Sequence, residues 1–263
     1  MELGIRGKTA LITASSKGIG KAIAEGFAAE GCNVAICSRT KTNLIETARE
    51  IKLKYGIEPF WGICDISQQK DIDNFLSAVQ KQFGTIDILV NNCGGPIPGF
   101  FKELSEEDWE NAYKQVLLSV IRFTNFVLPK MIEQEWGRVI NITSVSVKQP
   151  VHNLMLSNSF RSGVTGFAKS LSNEVGNRNI TVNNIAPGYT LTNRIYELAV
   201  NRGKISGKSH EEILTDMVRD VPMNRLGSPD EIAAMVVFLA SQRASYITGT
   251  TIPIDGGLTK SLF

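Results

Sequence analysis

The sequence predicts an α/β protein built on a single doubly wound parallel sheet with helices on both faces. Three observations lead there. Strand-like and helix-like stretches alternate from end to end of the 263 residues, as right-handed βαβ crossovers require. A glycine-bearing turn, Gly18-Ile19-Gly20, directly follows the first strand-like stretch and opens a helical one. No linker, repeat or low-complexity segment divides the chain, so residues 1–263 read as one domain.

The elements follow in order. Lys-Thr-Ala-Leu-Ile-Thr (8–13) is a compact β run, and Ile19, Ile23 and Phe27 then recur at helical spacing. Asn-Val-Ala-Ile-Cys-Ser (33–38) is a second strand, followed by a helix over 42–55. Phe-Trp-Gly-Ile (60–63) is a third, with a helix over 68–83, and Asp-Ile-Leu-Val-Asn (87–91) is a fourth. Ser105-Glu-Glu-Asp has the spacing of a helix N-cap and starts a longer helical region. Residues 138–142, 180–185 and 250–255 read as further strands. In such sheets, here of Rossmann type, ligands bind beyond the carboxyl ends of the strands at the topological switch point.

The bulk properties narrow the function classes. The chain is 43% hydrophobic and 21% charged, ordinary for a soluble globular protein. A net charge of +2 argues against a nucleic-acid or anionic membrane partner. The longest apolar runs, such as 9–14, are far below a membrane span, and no basic-then-apolar leader opens the chain. A cytoplasmic protein with a small-molecule substrate is expected. Cys32, Cys37, Cys64 and Cys93 are scattered without a CxxC pair, and the only histidines are His152 and His210. Reduced thiols and no metal site are therefore expected.

Behind the first strand, Gly18 and Gly20 let backbone N–H groups approach a pyrophosphate, with a helix N-terminus favouring its charge. This stretch, Thr-Ala-Ser-Ser-Lys-Gly-Ile-Gly (13–20), resembles the T-G-x-x-x-G-x-G loop of the short-chain dehydrogenases/reductases, with Ala14 in place of the first glycine. Asn-Asn-Cys-Gly-Gly (91–95) resembles that family's N-N-A-G motif. Residues 183–188 resemble its V-N-x-x-x-P-G segment, and 225–241 with 247–257 resemble its C-terminal signature. The chain is most similar to the 3-oxoacyl-(acyl carrier protein) reductase-like branch.

The resemblance implies an NADP site formed by Thr13, Ser15, Ser16, Lys17, Gly18, Ile19, Gly20, Ser38, Arg39, Asp65, Ile66, Asn92, Gly94, Arg161, Pro187, Gly188, Thr190 and Thr192. Ala14 implies looser phosphate packing. An acid at the end of strand two would repel a 2′-phosphate. Ser38 stands there instead, beside Arg39 and near Lys17, which predicts NADPH over NADH.

Four residues carry the family's chemistry: Asn, Ser, Tyr and a Lys four positions after the Tyr. Ser144 matches the Ser, but the Tyr position holds Ser157, the Lys position Arg161 and the Asn position Val116. No tyrosine lies between Tyr113 and Tyr189, and no lysine between Lys148 and Lys169, so no shift of register restores the pair. Serine is a far weaker acid than tyrosine, and arginine cannot act as a base. Ser144, Ser157 and Arg161 are the candidate catalytic residues, with His152 and Tyr189 as candidate proton donors. The family's mobile substrate lid corresponds to about 190–222. Its Arg194, Arg202, Lys204, Lys208 and Arg219 read as a solvated helical face, with capture of an anionic substrate as the alternative. The resemblance also implies a homotetramer or homodimer, and Phe160, Val164, Phe167 and Leu171 are spaced as one buried stripe. The expected function is an NADP-dependent oxidoreductase acting on a carbonyl or alcohol through an altered site. The alternative is an NADP-binding sensor or assembly partner without dehydrogenase activity.

Overall fold

The computed structural model describes residues 2–262. Seven parallel strands form one sheet: β1 (Thr9–Ile12), β2 (Asn33–Ser38), β3 (Phe60–Ile63), β4 (Ile88–Asn91), β5 (Gly137–Ile142), β6 (Ile180–Pro187) and β7 (Thr251–Ile254). Their order is β3-β2-β1-β4-β5-β6-β7. The chain winds outward one way from β1 and then crosses to β4 to wind the other way. The switch point lies between β1 and β4.

Alternation within each strand divides the core in two. Ala10, Ile12, Val34, Ile36, Ile88, Val90, Ile140 and Ile142 face one side. There they meet α1 (Gly18–Ala29), α2 (Lys41–Tyr55) and α9 (Pro229–Ala240). Leu11, Ala35, Cys37, Leu89, Val139 and Val182 face the other. They meet α3 (Gln69–Phe83), α5 (Ser119–Glu133) and α6 (Met155–Val175). Both faces are apolar because both carry helices, so the strands read as short continuous hydrophobic runs.

The predicted start at Ser105 is a capping box: its hydroxyl accepts from the Asp108 N–H while Asp108 accepts from the Ser105 N–H. Helix α4 (Glu106–Ala112) then runs through a π turn at Tyr113–Leu118 into α5. By length and composition the run Glu106–Glu133 is apolar enough to cross a membrane. Val120, Phe123, Val127 and Met131 instead seat it in the core. Cys32, Cys37 and Cys64 are buried and Cys93 half-buried. Burial pushes the Cys32 thiol up to about 12, so it stays protonated.

The expected stripe is covered in part by the chain itself: Val164 and Leu171 are buried, and Phe160 and Phe167 half-buried. Val164 packs with Val116 and Val120, Leu171 joins the sheet core, and the Phe160 ring meets Trp109 and Tyr113. The 3.6-residue period identified a buried face without saying what covers it.

A polar row crosses this core. Asn91, Asn141, Asn184 and Thr251 stand in register on β4 to β7. The Asn91 amide donates to Asn141 at 2.9 Å, Asn141 to Asn184 at 2.9 Å and Asn184 to Thr251 Oγ1 at 3.0 Å. Each amide nitrogen finds an acceptor on the next strand, while Asn91 Oδ1 at the start of the row is buried without a partner among the described residues, and the row favours one strand register. Replacing Asn141→Leu leaves partners on both sides short of a bond. The expected cost is about 3 kcal/mol, at roughly 1–3 kcal/mol for each orphaned group, read as a lower urea midpoint with unchanged slope.

Candidate active site

Beyond β1 the loop turns at Ala14, whose φ of 47° lies in the left-handed region. Turning there lifts Ser16, Lys17 and Gly18 over the strand ends and delivers Gly18–Gly20 into the first turn of α1. Gly20 is obligatory, because a Cβ would come within 2.5 Å of the Ala14 carbonyl and 2.7 Å of the Asn92 amide. Across the switch point, Thr13 Oγ1 donates to the Asn92 carbonyl at 2.6 Å and accepts from the Asn92 N–H at 2.8 Å. The Asn92 side chain donates to the Thr13 and Ala14 carbonyls at 3.2 and 3.1 Å. Four bonds thus hold the two diverging strands at a fixed separation.

The cleft that opens there has a volume of about 830 Å³. It is lined by Ser16, Lys17, Gly18, Ile19, Gly20, Ser38, Arg39, Asp65, Ile66, Asn92, Gly94, Ser144, Ser157, Arg161, Pro187, Gly188, Thr190 and Thr192, all singled out in the sequence. Thr13 and Ser15 do not line it. Thr13 is buried in its clamp with Asn92. Ser15 is fully buried, donating to the Ile12 carbonyl at 2.7 Å and accepting from the Cys37 N–H. Both shape the loop from below.

At the end of the cleft beside β2, Lys17 and Arg39 are exposed, and neither forms an ion pair among the described residues. Asp65 Oδ1 accepts from the Ser67 N–H and hydroxyl at 2.9 and 2.8 Å. That bond pair fixes the β3–α3 loop. The loop, the cations and the glycine cradle suit a dinucleotide with a phosphorylated ribose.

At the other end, Arg161 is 6% exposed. Its Nη1 donates to the carbonyls of Ile142 at 2.8 Å and Thr143 at 2.9 Å, and Nη2 approaches Cys93 Sγ at 3.7 Å. The guanidinium ties the end of β5 to the loop after β4, with part of its fork left facing the cleft. Behind it the wall is Val116, Val120 and Val164, and the remaining space is about 10 Å³. That is about the space of a single water. Ser144 caps a short helical turn, accepting from the Ser146 N–H at 3.2 Å, and Ser146 Oγ lies 3.4 Å from Ser157 Oγ.

The two candidate proton donors separate. His152 is exposed, stacks edge-on against Phe100 at 4.9 Å, and does not line the cleft. Tyr189 does line it, and it is the only tyrosine to do so among the described residues. Arg202 Nη1 donates to its Oη at 3.3 Å and lies 5.6 Å from the ring centre.

The lid region is two helices, α7 (Asn193–Ser206) and α8 (His210–Asp220), packed through Ile195, Ala199, Ile213 and Met217. Lys204, Lys208 and Arg219 are exposed, as a solvated face should be. Arg194 and Arg202 turn inward and line the cleft with Leu198. Their i, i+4, i+8 spacing along one helical stripe is the signal that separates them from the outward charges. Burial holds Arg194 below the usual guanidinium value; its Glu197 partner offsets part of this, and the like charge of Arg161 adds a smaller depression.

A doubly wound sheet with a glycine loop at its switch point and a Ser-bearing β5 end defines a nucleotide-dependent oxidoreductase scaffold. The chain belongs to the short-chain dehydrogenase/reductase family: the signature of the family described as Enoyl-(Acyl carrier protein) reductase matches residues 13–259. It is 36% identical to the 3-oxoacyl-(acyl carrier protein) reductase of Aquifex aeolicus, across 98% of this chain and 100% of the relative. It is 35% identical to the Vibrio cholerae protein of that name, across 97% and 99%. Among solved structures it is similar to the L-sorbose reductase of Gluconobacter frateurii complexed with NADPH and L-sorbose. That match has a TM-score of 0.94 and 35% identity, with both chains fully covered. It is also similar to an NADPH-dependent reductase involved in bacilysin biosynthesis, with a TM-score of 0.92 and 32% identity over 97% of this chain and 100% of the other.

The left-handed Ala14 makes a separable prediction. An L-residue pays roughly 1–2 kcal/mol in that region, while an added glycine costs about 0.5–1 kcal/mol in unfolded-chain entropy. Ala14→Gly should therefore raise the urea midpoint by about 0.5–1 kcal/mol of stability and lower the NADPH dissociation constant.

Proposed function

We propose that the chain reduces a carbonyl group with NADPH through this altered site. One observation carries the reading. A single cleft joins a glycine loop flanked by Lys17 and Arg39, neither in an ion pair among the described residues, to an end lined by Ser144, Ser157 and a fixed guanidinium. The NADPH complex and NADPH dependence named for its solved relatives support it.

NADPH, when bound, supplies the hydride that reaches the carbonyl carbon. Gly18 and the first turn of α1 receive the pyrophosphate, and Lys17 and Arg39 the 2′-phosphate. Ser144 and Ser157 donate hydrogen bonds to the carbonyl oxygen and orient it. Arg161 stays protonated throughout, so it neither gives nor takes the proton. Its charge, held by two backbone carbonyls, stabilises the oxyanion as it develops. Serine is too weak an acid to release a proton on this timescale, whereas tyrosine ordinarily titrates at about 10. Tyr189 donates the proton, and Arg202 holds its hydroxyl in place. The helices α7 and α8 act as the lid over the substrate end. The reading carries with it a cytoplasmic homotetramer or homodimer.

Two measurements test it. NADPH oxidation against a carbonyl panel should be detectable, and Tyr189→Phe should lower kcat by about 10²–10⁴-fold, the usual contribution of a positioned acid, with NADPH affinity unchanged. NADPH binding without oxidation of any substrate would return the chain to a nucleotide-binding role. For cofactor choice, Arg39→Glu should raise the NADPH dissociation constant roughly tenfold or more, since charge-assisted phosphate bonds carry about 1.5–3 kcal/mol. Its effect on NADH should be small, and equal affinity of the native chain for both cofactors would refute the preference.

A further inference from the structure

The substrate end of the cleft has an electrostatic anomaly. Arg161, Arg194 and Arg202 all line it, and Asp65, at the end beside β2, is the only acid among the lining residues. Arg194 belongs to the first turn of α7, where the helix N-terminus already carries partial positive charge and disfavours a cation. Its guanidinium lies against Gly95, where a Cβ would come within 2.6 Å of Nη2, and donates from Nη2 to the Pro96 carbonyl at 2.6 Å. It therefore points into the cleft mouth, with its side chain 33% exposed. Burial lowers its pKa most, its ion pair with the 61% exposed Glu197 at 3.5 Å offsets part of that, and the like charge of Arg161 adds a smaller depression. Arg202, two turns further along the same stripe, has the Tyr189 hydroxyl and ring as its partners and forms no ion pair among the described residues.

Arg161 is buried and Arg194 one-third exposed, and gathering both with Arg202 in one cleft, beside the N-terminus of α7, costs free energy. An anion between them offsets that cost. We propose that the substrate is a carbonyl compound that also carries an anionic group, a carboxylate or a phosphate. Arg194 grips that group from the lid, with Arg202 and the free side of the Arg161 fork beside it. This rests on the reductase reading above and names its substrate class. Because Arg161 and Tyr189 also serve the carbonyl oxygen, the anion stands close to the reacting carbon. Short oxo acids and phosphorylated ketones fit, and long neutral acyl chains do not draw on this feature.

The test pairs anionic carbonyl compounds with neutral counterparts on the native chain with NADPH. Pyruvate and acetoacetate are set against their methyl esters, and dihydroxyacetone phosphate against dihydroxyacetone. The expected result is an anionic member whose kcat/KM exceeds its neutral partner's by about 10- to 100-fold, the worth of a charge-assisted bond. Whichever pair shows it separates carboxylate from phosphate. Arg194→Met should collapse the ratio through KM, Arg194→Lys should restore part of it, and Arg219→Ala, an outward lid charge, should leave it unchanged. A ratio near one, or one that Arg194→Met leaves intact, overturns the proposal. Calorimetry on the NADPH complex separates the two readings. Binding of the anion without NADPH oxidation would keep the anion site and remove the reductase. Absence of binding by every anionic compound in the panel overturns the anion site.

Discussion

The structure depends on the divergence of β1 and β4. Up to residues 12 and 90 the two strands are hydrogen-bonded neighbours. Beyond them, one crossover leaves for each face and nothing fills the gap. A gap at a sheet's carboxyl edge is a liability unless its rim is tied. The reciprocal bonds between Thr13 and Asn92 provide the tie, and the Asn92 amide extends it to Ala14. That geometry imposes a backbone turn in the left-handed region. Here the turn falls on alanine, where glycine would be strain-free.

The guanidinium of Arg161 gives the site a cation fixed by backbone acceptors. An ammonium on a flexible stem can reach outward and follow a ligand, whereas a planar guanidinium settles where its donors find acceptors. Arg161 finds the Ile142 and Thr143 carbonyls and the Cys93 sulfur. It becomes a strut between strand ends. Val116, with Val120 and Val164, packs on the space behind it, alongside the polar Asn91, Ser119 and Thr143.

The fold was legible from the sequence almost element by element. The strand period and the glycine and serine helix starts are local signals, and no tertiary contact overrode them. The positions of Ser144, Ser157 and Arg161 in the cleft were legible because strand ends and a helix start fix them. What was not legible depends on orientation. Arg194 and Lys204 are both lid cations, and only the docking of α7 on α8 decides which one faces inward. His152 lies between two cleft residues in sequence, yet the left-handed turn at Asn153 carries it out against Phe100. The stripe through Phe160 and Leu171 was visible as buried, but covering it with the chain's own α4–α5 run is a property of the assembled fold.

These points bear on how such a site moves a proton. A Ser–Arg pair can orient a carbonyl and stabilise its oxyanion, because both groups donate hydrogen bonds without releasing protons. On the proposed reading the proton comes from a third side chain, which separates orientation from acidity. The loop after β6 can supply the acid because Gly188 packs against Asp255, where a Cβ would come within 2.6 Å of the Asp255 Cβ. That close packing brings the next residue, Tyr189, over the cleft.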